Sequence, residues 1–211
     1  GRYKVLMFVS LLMLAVALFL MTNLTAETPR SVLWFWMIIA GIGIGPSFAV
    51  FTLIVQNAVS PDRVGVATSS LTFFQQIGGT VGLTIAGTIF ASRLTTEIPV
   101  QLTASGVPPQ ITTAFQAGAS SGALDLTGTG DLGQRILSAT PEQFRAVVEP
   151  VIPNIVHGIH EAFAIALGST FWVGIVGALL AAVLVLFLQE VRMRETFEVE
   201  EPAPDAAVPA V

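Results

Sequence analysis

The side chains best suited to chemistry in this sequence are His157, His160 and Glu161. An imidazole and a carboxylate at i and i+4, as in His157 and Glu161, fall on one face of a helix, which is what a metal site or a proton relay needs. The sequence has 2 histidines and no cysteine, and no third strong ligand stands near them. Thiolate chemistry and disulfides are excluded, and the cluster reads as a solvated helix start with no catalytic residue, metal or cofactor. A second candidate is the run Gly41-Ile42-Gly43-Ile44-Gly45, with Asp62 about 20 residues further on, as in a dinucleotide fingerprint. Pro46 stands where such a fingerprint has its last glycine, and the run lies inside a long apolar segment instead of between a strand and a helix. Nucleotide binding is therefore set aside. A third candidate is the amide pair Gln75 and Gln76, for which two readings stand: bonding across helices, or lining a pathway.

The segments that must position these groups are apolar and long. Hydrophobic residues make up 53% of the 211 residues and charged ones 11%, with a mean hydropathy of +0.78. Such a chain uses lipid as much of its solvent. Val32 to Val59 and Val64 to Ser92 carry no charge, and each exceeds the roughly 20 residues a helix needs to cross a hydrocarbon core. Between them, Ser60-Pro61-Asp62-Arg63 combines a helix-disfavouring proline with two charges that are costly in lipid, so the pair is a helical hairpin with its turn in water. Val5 to Met21 is too long for a signal-peptide core of about 7 to 15 residues and lacks a good cleavage site at Leu24-Thr25-Ala26. The last apolar segment runs from Ala162 to Leu188.

These readings predict an all-α membrane protein with four transmembrane helices at about 5–21, 32–55, 66–92 and 161–188. Residues 93–160 are expected to form an extracytoplasmic loop with short helices, and residues 189–211 a disordered cytoplasmic tail. Within the loop, Thr140-Pro141-Glu142-Gln143 reads as a helix start, Pro150 as its end, and the glycine-rich stretch from Gly118 to Gly133 as mobile. The net charge of −5 sits largely in the tail and points to no nucleic-acid partner. The opening Gly1-Arg2-Tyr3-Lys4 is read as belonging to the C-terminal part of a longer polytopic protein.

Gly41, Gly45 and Ala49 recur every four residues and offer one small face for close helix packing. Phe48, Thr52 and Gln56 share that face, which serves equally as a cavity wall or as a packing seam. Pro46 can kink this span. In the third span, Phe74, Ile77, Val81 and Ile85 form an apolar stripe assigned to lipid, and Gln75, Gly79, Gly82 and Ala86 a face assigned to protein. Gly78, Gly82 and Ala86 repeat the four-residue spacing and call for a partner helix. Trp34, Phe35 and Trp36 mark headgroup depth. Cations near span ends are Arg2, Lys4, Arg63, Arg192 and Arg194 on one side, against Arg30 and Arg93 on the other. Both termini and the Asp62 turn are therefore expected in the cytoplasm.

The hairpin resembles the fourteen-helix drug:proton antiporters of the major facilitator superfamily, the multidrug efflux branch. The motifs that carry the resemblance are Gly41-Ile-Gly-Ile-Gly45-Pro46, Gln56-Asn57-Ala58-Val59-Ser60-Pro61, Gly65-Val66-Ala67-Thr68-Ser69 and Phe73-Phe74-Gln75-Gln76-Ile77-Gly78-Gly79-Thr80-Val81-Gly82. The resemblance implies that the four spans end the C-terminal six-helix half of a major facilitator fold. It also implies that Val32 to Val55 lines the central cavity, that Ala67 to Ser92 packs between the halves, and that the outer spans are scaffold. The implied function is proton-coupled efflux of drugs or other lipophilic small molecules by alternating access in the plasma membrane, with no enzyme activity. The implied partners are the lipid bilayer, a small-molecule substrate, protons and the missing N-terminal half. The family's acidic coupling positions lie in that half and have no counterpart here. Rival readings are a non-transporting membrane scaffold or sensor, a transporter of another substrate class, and a membrane enzyme built on His157, His160 and Glu161. The last needs further acids or imidazoles at membrane depth, and the apolar segments contain none.

Overall fold

The computed structural model describes residues 3–120, 131–140 and 142–188, which form helices and turns with no strand among them. The helices are α1 (Tyr3–Met21), α2 (Arg30–Asn57), α3 (Val64–Ala104), α4 (Pro109–Ser120), α5 (Leu132–Ala139), α6 (Glu142–Val148) and α7 (Ile152–Phe187). Short 3-10 turns at Pro61–Arg63 and Glu149–Val151 lead into α3 and α7. Among these, α1, α2, α3 and α7 are long and apolar enough to cross a membrane.

Helix ends follow from local polar chemistry. At the end of α1, the Thr22 hydroxyl and the Asn23 amide both donate to the Phe19 carbonyl, at 2.7 and 3.2 Å, and so satisfy an acceptor that the helix leaves open. Pro29 precedes α2 in an extended conformation. The Asn57 amide donates back to the Leu53 carbonyl at 3.2 Å, and Pro61 then opens the reversal into α3. Asp62 and Arg63 pair at 3.7 Å with both side chains largely exposed, a contact of little energetic weight.

Packing is set by where small residues let backbones meet. α1 lies between α2 and α7, α3 runs along α7, and α2 meets α3 only sparsely. A Cβ on Gly43 would stand 2.7 Å from the Leu14 backbone nitrogen, so only glycine fits where α2 crosses α1. On α7, a Cβ at Gly168 would lie 2.8 Å from the Thr22 carbonyl oxygen, and one at Gly158 would lie 3.0 Å from the Gln101 carbonyl oxygen of α3. Tyr3, Met7 and Leu11 pack against Ala182 and Val185 at one end of the bundle. At the other end Ile98 and Leu102 pack against Ile155 and Ile159, with Phe115 and Ile136 of the short helices over them.

The sequence predicts a loop with short helices over 93–160, and the structure differs from it at the two ends. α3 continues past Ser92 to Ala104, and α7 begins at Ile152, well before residue 161. Arg93 and Glu97 are costly in lipid but not in a helix, and the spacing of Ile98 and Leu102 keeps one face apolar beyond the uncharged stretch. The extended ends and α4 to α6 thus form a small core of their own. Asp131 caps α5 by accepting from the Gly133 N–H at 2.9 Å. The Thr140 hydroxyl donates to the Ile136 carbonyl at 2.7 Å and so closes α5. α6 ends at Val148, with Pro150 in the turn that follows. Pro141, most of the glycine-rich stretch (121–130), Arg2, Arg192, Arg194 and the tail at 189–211 lie outside the described residues.

Candidate functional site

Because α2 and α3 run antiparallel from one turn, residues equally far from that turn face each other. Next to the turn, the Gln56 amide reaches the Thr68 hydroxyl at 3.5 Å. Farther out, Ser47, Phe48 and Phe51 of α2 face Leu71, Phe74 and Gln75 of α3 across a cleft of about 340 Å³. The Ser47 hydroxyl donates to the Gly43 carbonyl at 3.1 Å. The side-chain amides of Gln75 and Gln76 have no hydrogen-bond partner among the described residues. The lining is three aromatic rings, a leucine, one free amide and the Ser47 hydroxyl. They can hold an apolar molecule by dispersion and ring stacking and orient it through the amide. Phe48 and Phe74 are 58% and 69% exposed, so the cleft is open along one side.

Of the residues singled out from sequence, Phe48 and Gln75 meet in this cleft. Thr52 and Gln56 lie nearer the turn, and the Thr52 hydroxyl donates to the Phe48 carbonyl at 3.0 Å. Gln76 is exposed beside the cleft without lining it. Ser47, Phe51, Leu71 and Phe74 were not expected there, and Phe74 stood on the stripe assigned to lipid. Counting outward from Pro61–Arg63 in both directions is the signal that would have paired them. The hydroxyls of Thr72, Thr80, Thr84 and Thr88 donate to carbonyls one turn back in α3 at 2.8 to 3.0 Å, so they are satisfied without a partner helix.

The small faces lie open. A Cβ at Gly41, Gly45, Gly78 or Gly82 would meet nothing within 4 Å, and Ala86 is half-buried. Within the chain it is Gly43, between the two expected positions, that makes the close approach. The Gly41 to Gly45 run is continuous helix with no strand before it, and Asp62 is exposed in the turn beyond, which removes the geometry of a dinucleotide site.

His157 and His160 line an open groove of about 490 Å³ with Asp131, Gln134 and Pro153. Glu161 does not join them: its Oε2 accepts the Ala26 N–H at 2.9 Å and ties the α1–α2 loop to α7. Among the described residues no three His, Asp or Glu side chains stand close enough to hold a metal ion.

No family model and no solved structure matches the chain. Relatives do. An uncharacterised MFS-type transporter of Mycobacterium tuberculosis is 37% identical over 108 residues, covering 51% of this chain and 16% of that protein. The multidrug transporter protein MdtP of Bacillus subtilis is 29% identical over 204 residues, 95% of this chain and 37% of that protein. The tetracenomycin C resistance and export protein of Streptomyces glaucescens is 25% identical over 199 residues, 93% of this chain and 34% of that protein. The chain therefore spans between 16% and 37% of the length of these relatives.

Proposed function

We propose that this chain, related to the transporters of the major facilitator type, is part of a multidrug efflux protein that carries lipophilic small molecules across the cell membrane. The observation that carries this reading is similarity over 93% to 95% of the chain to relatives named for multidrug transport and for tetracenomycin C export. The shape of the chain supports it. α2 and α3 expose an aromatic cleft and open small-residue faces, as two walls of a cavity completed by further helices would. In this reading a partner half supplies the opposite wall, and substrate passes by alternating access between the halves. Phe48 and Gln75 contact substrate, Thr52 and Gln56 line its path toward the turn, and Gln76 with Gly78, Gly82 and Ala86 faces the partner half. Amides without partners are costly in hydrocarbon, so Gln75 and Gln76 find water or polar groups in the assembled protein.

Proton coupling belongs to the same proposal. Neither Val32–Val59 nor Val64–Ser92 contains a carboxylate, so the titrating acid sits in the partner half. The test is uptake of a lipophilic fluorescent cation into inverted vesicles that hold the intact transporter. Accumulation should require an imposed proton gradient and collapse with a protonophore. Gradient-independent accumulation would remove the proton from the mechanism, and no accumulation of any lipophilic probe would sink the efflux reading. Orientation is tested separately with Ser60→Cys and Ser138→Cys. An impermeant maleimide applied to whole cells should label the second and spare the first, and the reverse pattern would invert the topology.

A further inference from the structure

A second groove, of about 570 Å³, opens between α3 and α7, away from the α2–α3 cleft. It is lined by Thr88, Ile89, Ser92 and Arg93 on one side and by Ser169 and Trp172 on the other. The Thr88 and Ser169 hydroxyls already donate, to the Thr84 carbonyl at 2.8 Å and the Ile165 carbonyl at 2.9 Å. The Arg93 guanidinium and the Ser92 hydroxyl have no ion-pair or hydrogen-bond partner among the described residues. Glu97, one turn beyond Arg93, is engaged by the Gln101 amide at 3.4 Å. The groove thus presents a fork of N–H donors and a hydroxyl, with nothing among the described residues to accept from them.

Its depth follows from the neighbouring helices. Arg93 is the first charge after the uncharged stretch from Val64 to Ser92. Across the groove, α1 stops at Met21, and the Thr22 carbonyl lies against Gly168, the residue before Ser169. Trp172 stands one turn deeper and meets Phe19 of α1 edge-on at 6.2 Å. A cation at the edge of an apolar stretch with an indole one turn inside is the arrangement of a membrane–water interface.

We infer that this groove binds the phosphodiester headgroup of an anionic phospholipid in the leaflet on the side of the α1–α2 loop. The Arg93 guanidinium forks onto the two non-bridging phosphate oxygens and the Ser92 hydroxyl donates to one of them as well, which are charge-assisted bonds that guanidinium and phosphate form well. Inorganic phosphate shares this chemistry. Ile89 and Trp172 decide for the lipid, because they add apolar surface that an acyl chain and glycerol backbone cover and a free ion does not. The site depends on the chain crossing a membrane and not on what the protein transports.

The test uses the intact transporter, purified and offered phosphatidylglycerol and phosphatidylcholine at equal concentration, with lipid retention read by native mass spectrometry. Phosphatidylglycerol should be retained preferentially, and Arg93→Gln should weaken its binding about tenfold, the loss expected for a charge-assisted pair. Arg93→Lys should fall between, since an ammonium cannot fork. Unchanged phosphatidylglycerol binding in Arg93→Gln would overturn the assignment. Displacement of the lipid by millimolar inorganic phosphate would overturn the lipid as the source. Should Arg93→Gln fail to fold, brominated phosphatidylglycerol offers a second reading: it should quench tryptophan fluorescence more than brominated phosphatidylcholine does, and Trp172→Phe should abolish the excess. No excess in the unsubstituted protein would equally refute the site.

Discussion

α1 and α7 differ from α2 and α3 in what their small residues meet. In the apolar stretch of α1, 33% of residues are buried, and in that of α7 22%, against 6% in α2 and none in α3. Ala15 and Ala17 of α1 and Ala162, Ala164 and Ala166 of α7 are buried, and on α7 Gly168 lies against Thr22 and Gly174 against Leu18 of α1, while Gly177 is open. On α2 and α3, by contrast, Gly43 meets α1 but Gly41, Gly45, Gly78 and Gly82 face open space. All four helices are apolar enough to cross a membrane, so apolarity does not separate them. In lipid, helices associate by close packing and polar contacts, because hydrocarbon solvates leucine as well as a neighbouring helix does. The first pair already has its partners. The second presents glycine faces and amides that no other described residue meets, the faces that the proposed partner half would cover.

The sharpest way to break this contrast is to ask the chain to act alone. Reconstituted by itself it should give no proton-dependent flux of a lipophilic probe, a complete loss relative to the intact transporter. Coupled flux would mean that α2 and α3 need no partner.

Next comes Gly43→Leu, where the obstacle is the backbone of α1 and cannot turn aside. Overpacking of this kind costs about 3 kcal/mol, and the folded fraction in detergent should collapse. Gly45→Leu in the isolated chain should leave folding unchanged, and equal damage at the two positions would erase the distinction between met and unmet glycines. Gly82→Leu sharpens the comparison in the intact transporter: a side chain on the face proposed to meet a partner helix should cost about 1 to 3 kcal/mol of packing there and lower transport steeply at matched expression. Ile85→Leu should leave transport nearly unaltered. The smallest effect is expected in the scaffold at Glu161→Gln, which turns a charge-assisted bond to the Ala26 N–H into a neutral one. A loss of about 1 kcal/mol should lower the unfolding temperature by about 2 to 4 °C. A larger fall with loss of transport would give Glu161 a role beyond tying the loop to α7.

By itself the sequence determined the helical class, the number of long apolar segments and the place of the hairpin turn. These follow from local quantities: the length of an uncharged run, the conformational limits around Pro61, and the cost of Asp62 and Arg63 in lipid. It also brought Phe48 and Gln75 forward, since helical spacing alone puts them on polar or small faces. Only the tertiary structure decided that Phe51, Leu71 and Phe74 complete the cleft, because that depends on the register of two helices and not on either alone. The same holds for Gly43, which packs while Gly41 and Gly45 do not, since one residue along a helix turns a side chain by about 100°. The ends of α3 and α7 reach past the uncharged stretches because Ile98, Leu102, Ile155 and Ile159 bury one another, a pairing between residues far apart in the chain. Glu161 left its histidine neighbours for the Ala26 N–H by the same cause: spacing says which groups share a helix face, and packing says what that face meets.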